Sequence, residues 1–285
     1  MRGNLKAILA DRLSLEEREL LYRSYDVIGD TAIIRIPDAL KHRSKVIAEA
    51  IMQTQRHVKT VLRQVTPVSG DLRLRKVEWI VGDKKAEALH KENGCLFKIA
   101  LERCYFSPRL SHERMRISEQ VKLGEVIVNM FSGVGCYSIV IAKHSTVEKV
   151  YSIDINPAAV RYMQENVKLN KVEGRVIPIE GDAKNIIQES LLNVADRILM
   201  PLPERAYEYL GFAAQALKQT GGWIHYYDFE YARKDESPVE KVRAKVGERL
   251  QNLGVYSEIP FGRIVRTTGP NWYQVAVDIQ LTNLL

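Results

Sequence analysis

The chain has 285 residues, 46% of them hydrophobic, which is enough to bury one large core and one smaller core. No apolar run approaches the roughly 20 residues that cross a bilayer, and charges interrupt the opening residues where a signal peptide would be apolar, so we expect a cytosolic protein without membrane contact. The 42 Lys and Arg against 35 Asp and Glu, a net charge of +7, permit a polyanionic partner without requiring one.

The first part of the chain, residues 1–112, has strands before and after a single helix. An amphipathic helical lead-in, SLEERELLYRSY, precedes YDVIGDTAIIRIP, which is typical of two strands joined by a turn at Gly29-Asp30. A helix is then expected over residues 38–55, with strands over 60–65, 72–81 and 95–100. This order predicts a small α+β domain with a soft boundary near residues 111–118.

The second part, residues 113–285, alternates apolar strand-like runs with amphipathic helical segments. Strands are expected in EVIVNMF, KVYSIDI, RVIPIEG, DRILMPL and GWIHYYDF, with helices over 134–143, 157–170, 182–191 and 204–219. A helix over 238–253 and two alternating segments over 255–265 and 272–281 follow. The pattern predicts an α/β domain with a doubly wound parallel sheet that ends in an antiparallel hairpin.

The three cysteines, Cys95, Cys104 and Cys136, follow no CxxC spacing and have apolar neighbours in sequence. No two His residues stand at i, i+4 spacing beside a third ligand. We therefore expect neither a disulfide framework nor a metal site.

The first strand of the second domain runs into a glycine turn, VNMFSGVG, directly before a helix. Gly133 and Gly135 lack a Cβ, so the backbone can approach a ligand in the crevice where open parallel sheets bind their ligands. A Gly-x-Gly turn alone is a weak signal, because it also occurs in ordinary tight connections.

Acidic side chains follow the next two strands. Asp154 stands about 20 residues after the glycines, where a carboxylate can accept hydrogen bonds from both ribose hydroxyls. Gly181-Asp182-Ala183 ends the third strand and suits the edge of an adenine. Ser138 stands where a dinucleotide-binding loop has its third glycine, so these strand ends predict a site for a nucleoside without a pyrophosphate.

This part of the chain resembles the class I S-adenosylmethionine-dependent methyltransferases, which have a Rossmann-like sheet. The resemblance implies S-adenosyl-L-methionine as cofactor, bound by Phe131, Gly133, Gly135, Asp154, Asn156, Asp182 and Ala183. The chain departs from the family at Asn129, where an Asp is common, although the neutral amide can still accept a hydrogen bond.

A second resemblance runs from about residue 24 to the C-terminus. The segments SYDVIGDTAIIRIP, LRLRKVEWIVGD and FKIALERCYFSPRLSHER are similar to the archaeal and eukaryotic tRNA (guanine-N1)-methyltransferases that act beside the anticodon. The likeness implies methylation of N1 of guanosine 37 in tRNA, with an N-terminal domain that positions the RNA. The family's catalytic positions are matched here by Glu113, Arg73, Tyr105 and Pro203.

The chemistry of guanine N1 explains those residue types. N1 carries a proton, so a base is required, and deprotonation moves negative charge onto O6, where a cation stabilises the transition state. Glu113 could be the base and Arg73 the cation, while Tyr105 could pack on the nucleobase or orient the cofactor. Each of these residues taken alone also has a purely structural explanation. Glu113 could be an exposed acid at a helix start, Arg73 could be half of an exposed ion pair between strands, and Tyr105 could be a core aromatic.

The fourth strand ends in Met200-Pro201-Leu202-Pro203, where amino- and ring-nitrogen methyltransferases carry an Asn/Asp-Pro-Pro-aromatic or Asn-Leu-Pro turn. Pro203 matches the family's proline, and proline fixes the backbone shape. Pro201 lacks the side-chain acceptor of the Asn or Asp, so one hydrogen bond to the target base is expected to be missing.

Many family members have an additional N-terminal domain for the tRNA elbow, which we do not expect here. Basic surface at residues 41–45 and at Arg263 and Arg266 is a candidate for phosphate contact, although such runs are more often solvated faces.

Three alternatives stay open. The related wybutosine-pathway enzyme transfers an aminocarboxypropyl group, but Arg109 and the Pro-Leu-Pro turn argue against that branch. A family member could methylate a tricyclic wyosine precursor in addition to guanine or in its place, which Asn129 and Pro201 leave possible. The chain could also be a non-catalytic RNA-binding or dinucleotide-binding module. The joint presence of Asp154, Asp182, Glu113 and Arg73 argues against this alternative. The oligomeric state is left open.

Overall fold

The computed structural model describes residues 5–22 and 24–282. The chain divides into two compact units, Met1–Arg109 and Leu110–Leu285. The segment 111–118, in which we expected a soft boundary, is helical and belongs to the second unit. Within the described residues, no helix is long and apolar enough to cross a membrane.

The first unit contains a four-stranded sheet and a separate hairpin. Its strands are β1 (Tyr25–Ile28), β2 (Thr31–Arg35), β3 (Thr60–Gln64), β4 (Val77–Gly82), β5 (Glu87–Glu92) and β6 (Cys95–Ala100). Its helices are α1 (Leu5–Ile8), α2 (Leu15–Leu20), a 3-10 helix (Asp38–Arg43) and α3 (Ser44–Thr54). The sheet order is β1-β2-β3-β4, with only the β2–β3 pair parallel, and β5 pairs with β6. Ile47 and Ile51 of α3 are fully buried in the core of this unit.

Four details of the first unit differ from the sequence prediction. The strand expected over 72–81 begins only at Val77, because the preceding residues form a turn closed by the Ser69–Leu74 bridge. The helix expected over 38–55 begins with a 3-10 segment. Strand β5 was not expected, since EALHKE is mostly polar. The helical lead-in is short, with Ser14 and Glu17 forming a capping box, and residue 23 within it lies outside the described residues.

The second unit is the predicted α/β fold. Its strands are β7 (Val126–Asn129), β8 (Lys149–Asp154), β9 (Val176–Glu180), β10 (Arg197–Met200), β11 (Gly222–Tyr231), β12 (Ser257–Gly269) and β13 (Trp272–Leu281). Its helices are α4 (Ser111–Gln120), α5 (Cys136–His144), α6 (Pro157–Leu169), α7 (Ala183–Ser190), α8 (Pro203–Ala216) and α9 (Pro238–Asn252). The sheet order is β12-β13-β11-β10-β7-β8-β9.

The five strands from β11 to β9 are parallel, and β13 and β12 form the predicted antiparallel hairpin at one edge. Strand β7 lies between β8 and β10, so the chain leaves β7 on one side and returns on the other. That reversal creates a crevice at the carboxyl ends of the central strands, where ligands of such sheets bind. The doubly wound architecture expected from the sequence is therefore confirmed.

Candidate active site

The glycine turn lies between the end of β7 and the start of α5. Gly133 and Gly135 have φ angles of 56° and 91°, in the left-handed region that favours glycine. A Cβ on Gly135 would lie 2.9 Å from Cγ of Met163 on α6. The turn thus needs glycine at position 135 both for its backbone conformation and for its packing.

Asp154 at the end of β8 joins two loops of the crevice. The Gly133 N–H donates to its Oδ2 at 2.6 Å, and the Asn156 N–H donates to its Oδ1 at 2.9 Å. Burial raises the pKa of Asp154, against the opposing effect of these two donors. Each carboxylate oxygen keeps a further lone pair for a ligand. The side chain of Asn156 is used locally, because its Oδ1 accepts from the Ala158 N–H and caps α6.

Asp182 at the end of β9 is held by Tyr209 of α8. The Tyr209 hydroxyl lies 2.9 and 3.0 Å from the two Asp182 oxygens, and Oδ1 also accepts from the Lys184 N–H at the start of α7. The Tyr209 ring meets the Phe131 ring edge-on, with centroids 5.3 Å apart. Burial raises the pKa of Tyr209, and the Asp182 hydrogen bond adds to the effect. Ala183 is buried beside this cluster.

The structure thus brings the predicted cofactor residues at three strand ends into one connected set of contacts. Tyr209 was missed by the sequence analysis. Its aromatic ring falls on the buried face of an amphipathic helix, and only its hydroxyl distinguishes it from a core residue.

Asn129 lies beneath the glycine turn and is completely buried. Its Nδ2 donates to Ser138 Oγ at 3.1 Å, but its Oδ1 has no hydrogen-bond partner among the described residues. A buried acceptor without a donor is costly unless a ligand supplies one. An amide oxygen of this kind can accept from an ammonium group, while Asp154 can accept from ribose hydroxyls. The available acceptors therefore fit S-adenosyl-L-methionine, which has both.

Glu113 lies on α4 and is only 2% exposed. Its Oε1 accepts from Arg116 Nε at 2.8 Å, from Arg116 Nη2 at 2.6 Å and from the Tyr227 hydroxyl at 3.0 Å. Its Oε2 has no hydrogen-bond partner among the described residues. One oxygen therefore fixes the orientation of the carboxylate, and the other is available to accept a proton.

Arg116 is itself held by a second carboxylate. Its Nη1 donates to Asp278 Oδ2 at 2.6 Å and its Nη2 to Asp278 Oδ1 at 3.1 Å. Asp278 Oδ1 also lies 2.6 Å from His225 Nδ1. Burial alone would raise the pKa of Asp278, but the hydrogen bonds from His225 and Arg116 hold it well below its usual value.

His225 is fully buried between Asp278 and Arg197. Arg197 Nη1 lies 2.7 Å from His225 Nε2, and a guanidinium can only donate, so Nε2 accepts and the ring proton is on Nδ1. Burial lowers the pKa of His225. Arg197 is paired in turn with Glu125 at 2.8 Å. We call this chain of groups from Glu113 to Glu125 the buried network.

The pH dependence of stability is expected to reveal the neutral His225. Because its folded-state pKa lies below the unfolded value of about 6.5, the unfolded state binds more protons at acidic pH, and stability falls as the pH drops through that value. The His225→Asn variant loses this contribution. Thermal midpoints measured between about pH 7.5 and about pH 5 should therefore fall less steeply for the variant than for the wild type.

The exposed His112 in the same unit serves as the control for the substitution itself, measured as His112→Asn over the same pH range. Parallel curves for His225→Asn and wild type would refute the assignment of a neutral buried imidazole.

Arg73 and Tyr105 belong to the first unit, whereas Glu113 and Pro203 belong to the second. The Arg73 guanidinium lies over the Tyr105 ring, 4.1 Å from its centroid. Arg73 also has a left-handed backbone, with φ of 51°, which is uncommon for a residue with a side chain. Arg109 Nε donates to Asp26 at 2.8 Å.

Pro203 is buried at the first turn of α8, directly after β10. Pro201 and Leu202 are half-buried in the turn between them. As expected from its sequence, Pro201 can offer only its backbone carbonyl there.

The basic segments have partial internal partners. His42 and Arg43 contact Glu17, and Arg266 Nε donates to Gln274. The three cysteines are buried, and none of them forms a disulfide with another described residue. Across residues 5–22 and 24–282, no group of three His, Cys, Asp or Glu side chains is placed to hold a metal ion.

Two family models match the chain. The model described as the TRM5/TYW2 methyltransferase domain matches residues 88–253, and the model described as the TYW2 N-terminal domain matches residues 5–85.

Three curated relatives are similar along most of the chain. The tRNA (guanine(37)-N(1))-methyltransferase Trm5b of Pyrococcus abyssi is 39% identical over 267 residues, covering 94% of this chain and 77% of that protein. The tRNA 4-demethylwyosine(37)-methyltransferase Taw21 of Saccharolobus solfataricus is also 39% identical over 267 residues, covering 93% and 97%. The tRNA(Phe) (4-demethylwyosine(37)-C(7)) aminocarboxypropyltransferase of Methanocaldococcus jannaschii is 33% identical over 266 residues, covering 91% and 98%.

Solved structures are similar as well. Trm5b from Pyrococcus abyssi has a TM-score of 0.84 at 38% identity, covering 95% of this chain and 78% of that one. The complex of aTrm5 with tRNALeu has a TM-score of 0.84 at 32% identity, covering 99% and 79%. TYW2 of M. jannaschii in complex with AdoMet has a TM-score of 0.67 at 27% identity, covering 92% and 100%.

Proposed function

Because the chain belongs to the TRM5/TYW2 methyltransferase family, we propose that it methylates N1 of guanosine 37 in tRNA. S-adenosyl-L-methionine is the family's cofactor, and methyl transfer is the activity that the family model describes. The names of the Trm5b relatives and the tRNA complex of a similar structure support the choice of tRNA and of position 37.

The observation that carries the proposal is the state of Glu113. A base that removes a ring proton must have an accepting oxygen and must keep its orientation while the proton moves. In Glu113 these two tasks fall to different atoms, because Oε1 is bound by Arg116 and Tyr227 and Oε2 has no donor among the described residues. A guanine N1–H directed at Oε2 would complete the site.

The carboxylates of the buried network have cationic partners. Glu113, Asp278 and Glu125 are three carboxylates, Arg116 and Arg197 pair with them, and Arg263 Nη1 lies 3.8 Å from Glu113 Oε2. With His225 neutral, these charges balance, which lessens the cost of keeping a carboxylate in a buried place.

The cofactor residues have separate tasks in this scheme. Asp154 holds the ribose, the Phe131, Tyr209 and Asp182 cluster lies where the adenine end would bind, and Asn129 Oδ1 accepts from the ammonium group. When bound, S-adenosyl-L-methionine supplies the electrophilic methyl group that the deprotonated nitrogen takes.

Arg73, Tyr105 and Pro203 have proposed roles from their family positions. The role proposed for Arg73 is to stabilise the charge that develops on O6, and the Arg73 guanidinium lies over the Tyr105 ring. Pro203 keeps the turn after β10 in one shape, against which the target base would rest. The first unit is proposed to position the RNA.

A second candidate is methylation of 4-demethylwyosine at the same nucleotide. It is favoured by the similarity to Taw21, since this relative and Trm5b are each 39% identical to the chain over 267 residues. Pro201, which removes one acceptor from the turn that faces the target base, is compatible with a changed base.

Mass spectrometry of nucleosides distinguishes these reactions. The protein is incubated with S-adenosyl-L-methionine and either a transcript with guanosine 37 or a tRNA carrying 4-demethylwyosine. We expect a gain of about 14 Da on guanosine 37, identified as 1-methylguanosine, and no gain on a transcript with adenosine 37.

The other outcomes overturn the proposal in different ways. A mass gain of about 14 Da that occurs only on the tRNA carrying 4-demethylwyosine would favour the second candidate. A gain of about 101 Da would indicate aminocarboxypropyl transfer, and no gain on either tRNA would favour a non-catalytic RNA-binding module.

A further inference from the structure

We propose that Arg263 contacts the target guanine directly and donates a hydrogen bond to O6 while Glu113 takes the N1 proton. The inference rests on the proposed function, because it assigns a role on the same base. The inference adds Arg263 as a second cation beside the one expected at Arg73. Arg263 lies in the same unit as the general base Glu113.

The sheet register places Arg263 beside the catalytic carboxylate. Arg263 of β12 lies opposite Ala276 of β13, which lies opposite Tyr227 of β11, so Arg263 and Tyr227 share a row on one face of the sheet. The Tyr227 hydroxyl donates to Glu113 Oε1 on that face. Arg263 Nη1 lies 3.8 Å from Glu113 Oε2, the oxygen that lacks a hydrogen-bond partner.

The distance of 3.8 Å is too long for a hydrogen bond, so the two groups attract each other without binding directly. Within the part of the chain that the structure describes, the Arg263 guanidinium makes no hydrogen bond, and its side chain is 44% exposed. Its donors are therefore available to a third group that approaches Glu113.

The edge of guanine matches this pair. N1–H is a donor and O6, on the adjacent carbon, is an acceptor, so a protein that binds both needs an acceptor and a donor side by side. Glu113 Oε2 and Arg263 Nη1 are such a pair, and arginine donors to guanine O6 are common in recognition. An adenine presents the opposite pattern at these two positions, so the pair would also select against adenine.

The same pair would act during proton transfer. The N1–H bond breaks, the proton passes to Glu113 Oε2, and the electron pair left behind is shared between N1 and O6. The hydrogen bond from Arg263 to O6 strengthens as that charge grows, so it stabilises the transition state more than the ground state.

Arg263 also explains how a buried, unpaired carboxylate oxygen is tolerated before the base arrives. A buried charge without a nearby cation is costly, and Arg263 supplies the positive charge at 3.8 Å. A long side chain that is nearly half exposed can move, so Arg263 can leave Glu113 for O6 when the base enters.

The competing explanation is a contact between Arg263 and an RNA phosphate. Such a contact would lower tRNA affinity and reduce its salt dependence, with little effect on the rate of the bound complex. A contact to O6 would act mainly on the rate. The two explanations therefore predict different changes in two separate measurements.

The test compares Arg263→Met and Arg263→Lys with the wild type, and with Arg161→Met as a control at an exposed arginine of α6. Single-turnover methylation of a guanosine-37 transcript is measured across pH at saturating protein, and tRNA affinity is measured without cofactor at several salt concentrations. We expect Arg263→Met to slow methylation about 100-fold and to move its pH–rate profile to higher pH, with tRNA affinity within about threefold of wild type.

Arg263→Lys should recover part of the rate, because the ammonium retains a charge and a donor, and Arg161→Met should match the wild type. An unchanged rate in Arg263→Met, or a loss confined to affinity and its salt dependence, would overturn the inference. Absence of guanosine methylation by the wild type would overturn the proposed function and the inference together, whereas an active wild type with a normal Arg263→Met overturns the inference alone.

Discussion

A Glu113→Gln variant is expected to methylate its tRNA at least about 100 times more slowly than the wild type, which is the usual effect of losing a general base. Glutamine has the same shape, and its amide oxygen can still accept from Arg116 and Tyr227. That orientation places the NH₂ group where Oε2 lies now. A donor would then face the donor N1–H of guanine, and the proton would have no acceptor.

Single-turnover transfer of a labelled methyl group measures the rate, and calorimetry with S-adenosylhomocysteine measures cofactor affinity, which we expect to be unchanged. Glu119→Gln is the matched control, because Glu119 is an exposed glutamate on the same helix α4. Normal turnover by Glu113→Gln would remove Glu113 from the mechanism.

Replacing Asp154 with Ala should weaken binding of S-adenosylhomocysteine by about 100-fold or more, which corresponds to about 2.7 kcal/mol. Two effects add. The ligand loses a charged acceptor for its ribose hydroxyls, and the Gly133 and Asn156 amides lose the carboxylate that joins their loops. Calorimetry of the purified variant measures the change, and tRNA affinity without cofactor should stay at the wild-type value.

Glu173→Ala is a suitable control, since Glu173 is exposed in the turn after α6, outside the contacts described for the site. An Asp154→Asn variant should lie between Ala and wild type, because its amide keeps one acceptor but turns an NH₂ group toward one of the two backbone amides. If Asp154→Ala binds S-adenosylhomocysteine as tightly as the wild type, the ribose assignment is wrong. Tight binding of NAD by the wild type, with none of S-adenosylhomocysteine, would contradict the cofactor.

The sequence predicted the second unit well because its central strands β7, β10 and β11 are largely buried. Such strands appear as short apolar runs, and the helices between them carry clear start signals, such as Asn156-Pro157 before α6. Strand β5 was missed because EALHKE pairs with only one other strand and buries only Ala88 and Glu92 deeply. A half-exposed strand with charged residues has no distinctive pattern.

The candidate cofactor residues could be grouped from the sequence because they are local features. Gly133, Gly135, Asp154 and Asp182 each lie at the end of a strand or within six residues after it, and parallel strands bring such ends together. The buried network could not be predicted in the same way. Arg197, His225 and Asp278 are single polar residues within apolar strands. This pattern indicates that each side chain needs a buried partner, but it does not identify the partner.

The choice of partners depends on strand order, which adjacent segments of sequence do not determine. Asp278 meets His225 only because β13 pairs with β11, and Arg116 meets Asp278 only because α4 packs on that face. The same reason explains why Arg263 was interpreted as a surface charge: its position near Glu113 depends on the pairing of β12 with β13.

The two hydrogen bonds that Asp154 accepts, from the Gly133 and Asn156 amides, have a consequence for the thermodynamics of ligand binding. Both backbone amides are already fixed by one carboxylate in the free protein, so the entropy lost in ordering these loops is part of folding and not of association. The nucleoside therefore meets a preorganised cradle, and more of its interaction energy remains as affinity.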